Sequence, residues 1–260
     1  MYELILFAFS VLPVILIEMF VYNKDKEKEP IRLLIKLFLG GISSCFLVLF
    51  ISLILSFIFP IFGAESSELR GIELVIYVFI GVALVEEFCK WIMVYKFSFN
   101  DVAFDEMYDA ILYCVFVALG FACFENLMYV FDSGLGTAIT RALLAVPGHV
   151  CDGVFMGFYF GLAKRGAVNG RYDLKTKNLI LSVVVPTISH GIYDYCLMNG
   201  SLLCILIFFV FVVVMYIYIF KKIKDVSSKG EKISEISIFC PKCGRKFDGN
   251  FCVNCGTKRD

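Results

Sequence analysis

The chain alternates long apolar runs with short polar breaks. Seven apolar segments stand out, at about residues 4–22, 33–60, 74–95, 109–131, 142–163, 178–198 and 201–220. Each is near the roughly 20 residues a helix needs to cross the hydrocarbon core of a bilayer. The pattern predicts an all-α membrane protein, a bundle of about seven transmembrane helices over residues 1–220. Residues 221–237, "KKIKDVSSKGEKISEIS", are polar and rich in Ser and Lys and read as a cytoplasmic linker. Residues 238–260 form a separate small module. No internal repeat is visible.

Lys and Arg in the short loops set the orientation. The first loop carries Lys24, Lys26, Lys28 and Arg32. The fifth carries Lys164, Arg165, Arg171, Lys175 and Lys177, and the tail begins Lys221, Lys222, Lys224. The intervening loops hold Arg70 alone, Arg141 alone, and none near Asn199. Seven spans with the N-terminus outside satisfy this alternation. The third loop sets Lys96 against Asp101, Asp105 and Glu106 and fits it least well. The first segment does not read as a cleaved signal, because its basic residues follow the apolar run.

Composition adds little to the class and excludes one partner. The 260 residues are 60% hydrophobic with a formal net charge of zero, and the mean hydropathy is +0.83. A neutral, apolar chain is not a nucleic-acid binder. Seven of the eleven cysteines lie in apolar segments and act as small hydrophobes. The other four, Cys240, Cys243, Cys252 and Cys255, form two Cys-x-x-Cys pairs in "CPKCGRKFDGNFCVNCG". Each pair precedes a glycine suited to a knuckle turn. Four thiolates at this spacing close a tetrahedron around structural zinc, and metal would supply most of the folding free energy of so short a ribbon. A reducing cytoplasmic face favours zinc over a redox dithiol. The ribbon's cytoplasmic partner is unknown.

The charges inside the spans change the picture most. Foremost are Glu86, Glu87 and Lys90 in the third segment, Glu125 in the fourth, His149 and Asp152 in the fifth, and His190 and Asp194 in the sixth. A charge at mid-bilayer costs about 2.5–3.5 kcal/mol even on insertion scales. Five carboxylates cannot all pair with one lysine, so a shared wet cavity between helices answers the cost better than separate sites. Glu86 and Lys90 share a helix face at i,i+4, and Glu87 and Lys90 at i,i+3. His149 with Asp152, and His190 with Asp194, have spacings that let a carboxylate orient an imidazole. At 1.5 Å per residue, Glu125, His149 and His190 lie roughly 9–12 Å below the outer face, and Glu86 roughly 18 Å below it. A cavity open toward the outer half fits best.

Four blocks carry a family resemblance: "VEEFCKW" (85–91), "FENLMY" (124–129), "RALLAVPGHVCDGVFMGFYFG" (141–161) and "SHGIYDY" (189–195), preceded by "DKEKEPIRLLIKLFLGG" (25–41). Residues 1–220 resemble the PrsW-type intramembrane proteases, within the superfamily of type II CAAX prenyl endopeptidases and bacteriocin-processing enzymes. Lys90 stands where the CAAX branch has Arg, so prenyl-protein processing is not implied. The resemblance implies peptide-bond hydrolysis of a membrane-associated substrate in a cell membrane. It carries over Glu86, Glu87, His149 and His190 as the catalytic group and Glu125 as a further motif residue. Lys90, Asp152 and Asp194 are supporting groups. In the best-known example of the family the substrate is an anti-sigma factor. Two chemistries stay open: water activated by Glu86 with the histidines, or the same side chains ligating a catalytic zinc. A non-catalytic scaffold or receptor of the same fold is the alternative function. A transporter ranks below it, for want of repeats or broken helices.

Overall fold

The computed structural model of the protein describes residues 1–234, 238–239, 242–243, 246–247 and 254–257. Apolar runs in lipid must satisfy their backbone internally, and they do so as helices. Helix α1 spans Tyr2–Lys24 and α2 spans Ile31–Ile58, entered at Pro30. A continuous helical run over residues 72–98 follows. It consists of α3 (Ile72–Ile76), a π-helical stretch (Tyr77–Leu84) and α4 (Val85–Ser98). Helix α5 is Met107–Ser133, α6 is Leu135–Thr140, a second π stretch is Arg141–Ala145, and α7 is Val146–Val168. Helices α8 (Tyr172–Asn199) and α9 (Leu202–Lys229) complete the bundle. Two-residue strands β1 (Ile238–Phe239) and β2 (Lys246–Phe247) pair antiparallel.

Among the described residues, six helices are long and apolar enough to cross a membrane. The seventh predicted crossing is the 72–98 run. Glu73, Glu86, Glu87, Lys90 and Lys96 make it too charged to stand among the six. The expected charged segment is thus present as a helix, and its charges set it apart from its neighbours.

Helix α5 is the hub. Its most apolar 18-residue window is 94% buried, against 17–22% for α1, α2 and α9, which form the lipid-facing surface. Glycines let its neighbours reach it. A Cβ on Gly41 of α2 would lie 2.1 Å from the Val117 carbonyl oxygen, and one on Gly120 would lie 2.0 Å from that of Phe38. Close approach through small residues is how membrane helices associate without a hydrophobic driving force between them. Gly120→Leu therefore forces α2 from α5. Its expected cost is about 1–3 kcal/mol or more, read as a lower unfolding midpoint in detergent.

The polar segment after Phe220 opens as the last turns of α9. Ile219, Ile223 and Val226 keep one stripe buried there, while lysines occupy the other faces. Beyond Gly230 the chain docks back on the α4–α5 loop. Met107 N–H donates to Glu231 O at 2.8 Å, and Ile233 N–H donates to Asp105 O at 2.7 Å. Lys232 bonds Glu27, Asp105 and Glu106.

Glu29, in the same region, accepts the Tyr113 hydroxyl proton. Burial pushes its carboxyl from 4.5 up to about 7, with Asp25, Asp105 and Asp101 adding repulsion against the lowering effect of Tyr113. The folded state thus holds this proton more tightly than the unfolded chain. Its contribution is complete below the unfolded value and is lost as pH rises through about 7. Unfolding midpoints in chelated buffer should fall between about pH 5 and pH 8, and Glu29→Gln should flatten that slope.

Candidate functional site

Both π stretches end just before functional side chains. The first stops at Leu84, two residues before Glu86, and the second at Ala145, four before His149. Their i→i+5 winding is wider than α, so more residues fit in a given length. Glu86 reaches the histidines directly, with its Oε2 3.9 Å from His190 Nε2 and 3.3 Å from the Lys90 ammonium that also meets His149.

Lys90, 2% exposed, is the centre. Its ammonium donates to Glu87 Oε1 at 2.8 Å and Glu86 Oε2 at 3.3 Å, and lies 3.3 Å from His149 Nδ1. It also stands 4.0 Å above the Phe121 ring. A lysine ammonium only donates, so His149 Nδ1 accepts and Nε2 carries the ring proton. Nε2 donates that proton to Glu125 Oε2 at 2.8 Å. Arg141 Nη2 meets the same oxygen at 2.7 Å, and Arg141 Nε donates to Asn126 Oδ1 at 2.7 Å.

On the other side, His190 Nδ1 lies 2.9 Å from Glu87 Oε1 and 4.0 Å from Asp152 Oδ2. Its Nε2 lies 3.3 Å from Asp194 Oδ2 and 3.9 Å from Glu86 Oε2. The two imidazoles are 5.7 Å apart and nearly perpendicular. A cavity of about 300 Å³ opens beside them, lined by Glu86, Glu125, Arg141, His149, Asp152, His190 and Asp194, with Tyr129 and Tyr193 at its wall. Glu87 lies behind this lining, 1% exposed.

All eight predicted side chains within the bundle converge here. The His190–Asp194 pair forms as its spacing predicts. The expected His149–Asp152 pair does not: the two hydrogen bonds of His149 go to Lys90 and Glu125, and Asp152 turns toward His190. Spacing puts two residues on one face of a helix, but a better-placed carboxylate on α5 takes the bond. Glu125 belongs to the site, partly buried and bonded to both His149 and Arg141. Arg141 is the residue the sequence reading missed, counted there as a loop charge. Its signal was available: Glu125 lacked a cation, and Arg141 opens the next apolar run. Arg141→Ala leaves Glu125 and its imidazole unsupported and should lower activity about 10–100-fold, as loss of an orienting partner does. Steady-state cleavage with an unfolding control checks this.

Glu86, Glu87 and His190 each present a donor atom within 4.8 Å of the others, as do Glu87, His149 and Asp152. Glu87 Oε2 and Asp152 Oδ1 are buried without a hydrogen-bond partner among the described residues. Mixed imidazole and carboxylate donors with orphaned oxygens beside an open cavity fit a divalent metal such as zinc. In the tail, Cys240 and Cys252 lie outside the described residues, and the four-cysteine zinc site remains as the sequence presents it.

Residues 29–220 match the sequence profile of the PrsW family intramembrane metalloproteases. The chain is 38% identical over 194 residues to Protease PrsW of Geobacillus kaustophilus, covering 74% of this chain and 80% of that one. It is 34% identical to Protease PrsW of Bacillus subtilis over 189 residues, 72% of this chain and 80% of that one. Protease PrsW of Clostridioides difficile is 29% identical over 238 residues, 89% of this chain and 95% of that one. No solved structure matches the chain. Six membrane-length helices around buried carboxylates and imidazoles, with this match over most of the length, make the chain a multi-pass intramembrane protease of the PrsW family.

Proposed function

We propose that Glu86 is the base that activates water for attack on a peptide bond in the cavity. The supporting observation is the division between the paired glutamates. Glu86 lines the cavity, and its side chain retains 12% exposure, whereas Glu87 is sealed behind it at 1%. A base must reach the water it deprotonates, and Glu86 can. Having taken the proton, it is placed to return it to the leaving amine.

Glu87 is a positioning residue. It holds Lys90 and His190 in register from behind. His190, with Asp194 on its Nε2 side, faces the cavity beside Glu86 and stabilises the oxyanion that develops on the carbonyl. His149 is fixed by Lys90 and Glu125, and Arg141 neutralises Glu125, so this half of the site presents a rigid, polarised wall. In the metal-dependent alternative, Glu86, Glu87 and His190 would instead hold the ion, which would supply Lewis acidity that makes water easier to deprotonate.

The substrate is a membrane-associated protein whose segment enters the cavity from the bilayer. By resemblance to the family, it is a regulatory protein of the anti-sigma type. The basic loops support a plasma-membrane topology with the N-terminus outside. The cavity, at the C-terminal end of α5, then opens toward the outer half. The tail lies in the cytoplasm, its four cysteines holding structural zinc for a cytoplasmic partner.

Purified protein in liposomes with a labelled single-span reporter tests the reading. Cleavage within the outer half of the span, with ¹⁸O from solvent in the new C-terminal carboxylate, is expected. Intact reporter with wild-type protein, or cleavage on the ribbon side, overturns it. Chelator sensitivity is measured on a chain with Cys240, Cys243, Cys252 and Cys255 changed to Ser, which removes ribbon zinc as a confounder.

A further inference from the structure

A second cluster of buried acids sits at the other end of α5, where peptide hydrolysis makes no use of it. Asp25 follows α1, Glu106 caps the N-terminus of α5, and Asp109 lies in that helix's first turn. One carboxylate oxygen from each lies within 4.8 Å of the other two. The three residues are 4%, 5% and 0% exposed.

Helix capping accounts for part of this. Asp109 Oδ2 accepts the N–H groups of Asp105 at 3.0 Å and Glu106 at 2.7 Å, and the Glu106 side chain accepts the Asp109 N–H in return. Lys232 Nζ lies 3.1 Å from Glu106 Oε1. Asp25 lies outside the capping box; the Glu29 and Glu27 N–H groups approach its carboxylate, without reaching full hydrogen-bond geometry. Both of its carboxylate oxygens, and Asp109 Oδ1, are buried with no hydrogen-bond partner among the described residues. The nearby Lys28 ammonium is spent on backbone carbonyls, those of Tyr22 at 2.6 Å and Asp25 at 2.9 Å. Three enclosed carboxylates have near them only the Lys28 charge and a Lys232 ammonium shared with Glu27 and Asp105, so the cluster is short of positive charge, and buried charge left without a partner is costly.

We propose that Asp25, Glu106 and Asp109 form a binding site for an oxygen-preferring divalent cation, Ca²⁺ or Mg²⁺. The donor set is all carboxylate, with no nitrogen or sulfur, which selects hard cations over zinc. Asp25 and Asp109 bring three buried oxygens without a hydrogen-bond partner among the described residues, in a trio whose ligand atoms lie within 4.8 Å of one another. The cation ties the α1–α2 loop to the start of α5. Through Glu106 and Lys232 it also secures the segment that leads from α9 to the cysteine-rich tail. The site is separate from the catalytic cavity and stands whether or not Glu86 is the catalytic base.

The test uses the full chain in detergent micelles. Ca²⁺ or Mg²⁺ should raise the wild-type unfolding midpoint saturably, and that rise should vanish in Asp25→Asn. Electron paramagnetic resonance with Mn²⁺ alone as the probe should count one fewer bound ion in Asp25→Asn than in wild type. If that variant fails to fold, Glu106→Gln carries the same expectation. His190→Ala, which alters the catalytic cluster, should keep the Ca²⁺ response. Equal Mn²⁺ binding by wild type and the cluster variants overturns the proposal. So does a wild-type midpoint that ignores all three cations and rises only on acidification, because protons then neutralise the cluster.

Discussion

Glu86→Gln should lower peptide cleavage by about 10²–10⁴-fold, the usual contribution of a general base, while the protein stays folded. Glutamine keeps the volume and an acceptor for Lys90, 3.3 Å away, but cannot take a proton from water. Glu87→Gln should behave differently. Glu87 Oε1 receives Lys90 at 2.8 Å and faces His190 Nδ1 at 2.9 Å in an enclosed site. Neutralising it weakens two buried interactions and lowers the unfolding midpoint along with activity. Initial rates on a liposome-embedded reporter, paired with unfolding midpoints, separate the two variants. Full turnover by Glu86→Gln would sink the assignment of the base, whatever became of Glu87→Gln.

Lys90→Met should cost about 3–5 kcal/mol of folding stability, the penalty for stripping one partner from a buried ion pair. The ammonium is held by Glu87, Glu86, the His149 ring nitrogen and the face of Phe121, so no other group stands ready to replace it. Methionine fills the space but leaves two carboxylates without their cation. The effect should be non-additive. Combined with Glu87→Gln, Lys90→Met should cost much less than the sum of the single changes, because a carboxylate and an ammonium vanish together. A double-mutant cycle on unfolding midpoints measures this. Strict additivity would show that Lys90 and Glu87 stabilise the fold independently.

These expectations rest on residues that were not equally visible in the chain. The trio of α4 was plain, because Glu86 and Glu87 lie four and three residues before Lys90 on one helix and no other charge falls in the apolar segment 74–95. The choice of partner for His149 was not. Asp152 was the local candidate, one turn away, and Glu125 on α5 won. Arg141 looked like an isolated loop charge until α5 and α7 came together and placed it on Glu125. The docking of Lys232 on Glu27, Asp105 and Glu106 was hidden for the same reason, since its partners lie more than a hundred residues upstream.

Hydropathy alone determined that this is a helical membrane protein, because apolar length against bilayer thickness is a one-dimensional property of the chain. It also determined which charges had to find company, since each stood in a run with no local reason to be polar. Only the tertiary structure decided who that company is. Pairing across helices depends on their rotation and depth. Two π-helical stretches change the winding just before Glu86 and His149, and glycine contacts on α5 set how closely its neighbours approach. A linear pattern carries neither quantity, because each is fixed by packing between segments far apart in sequence.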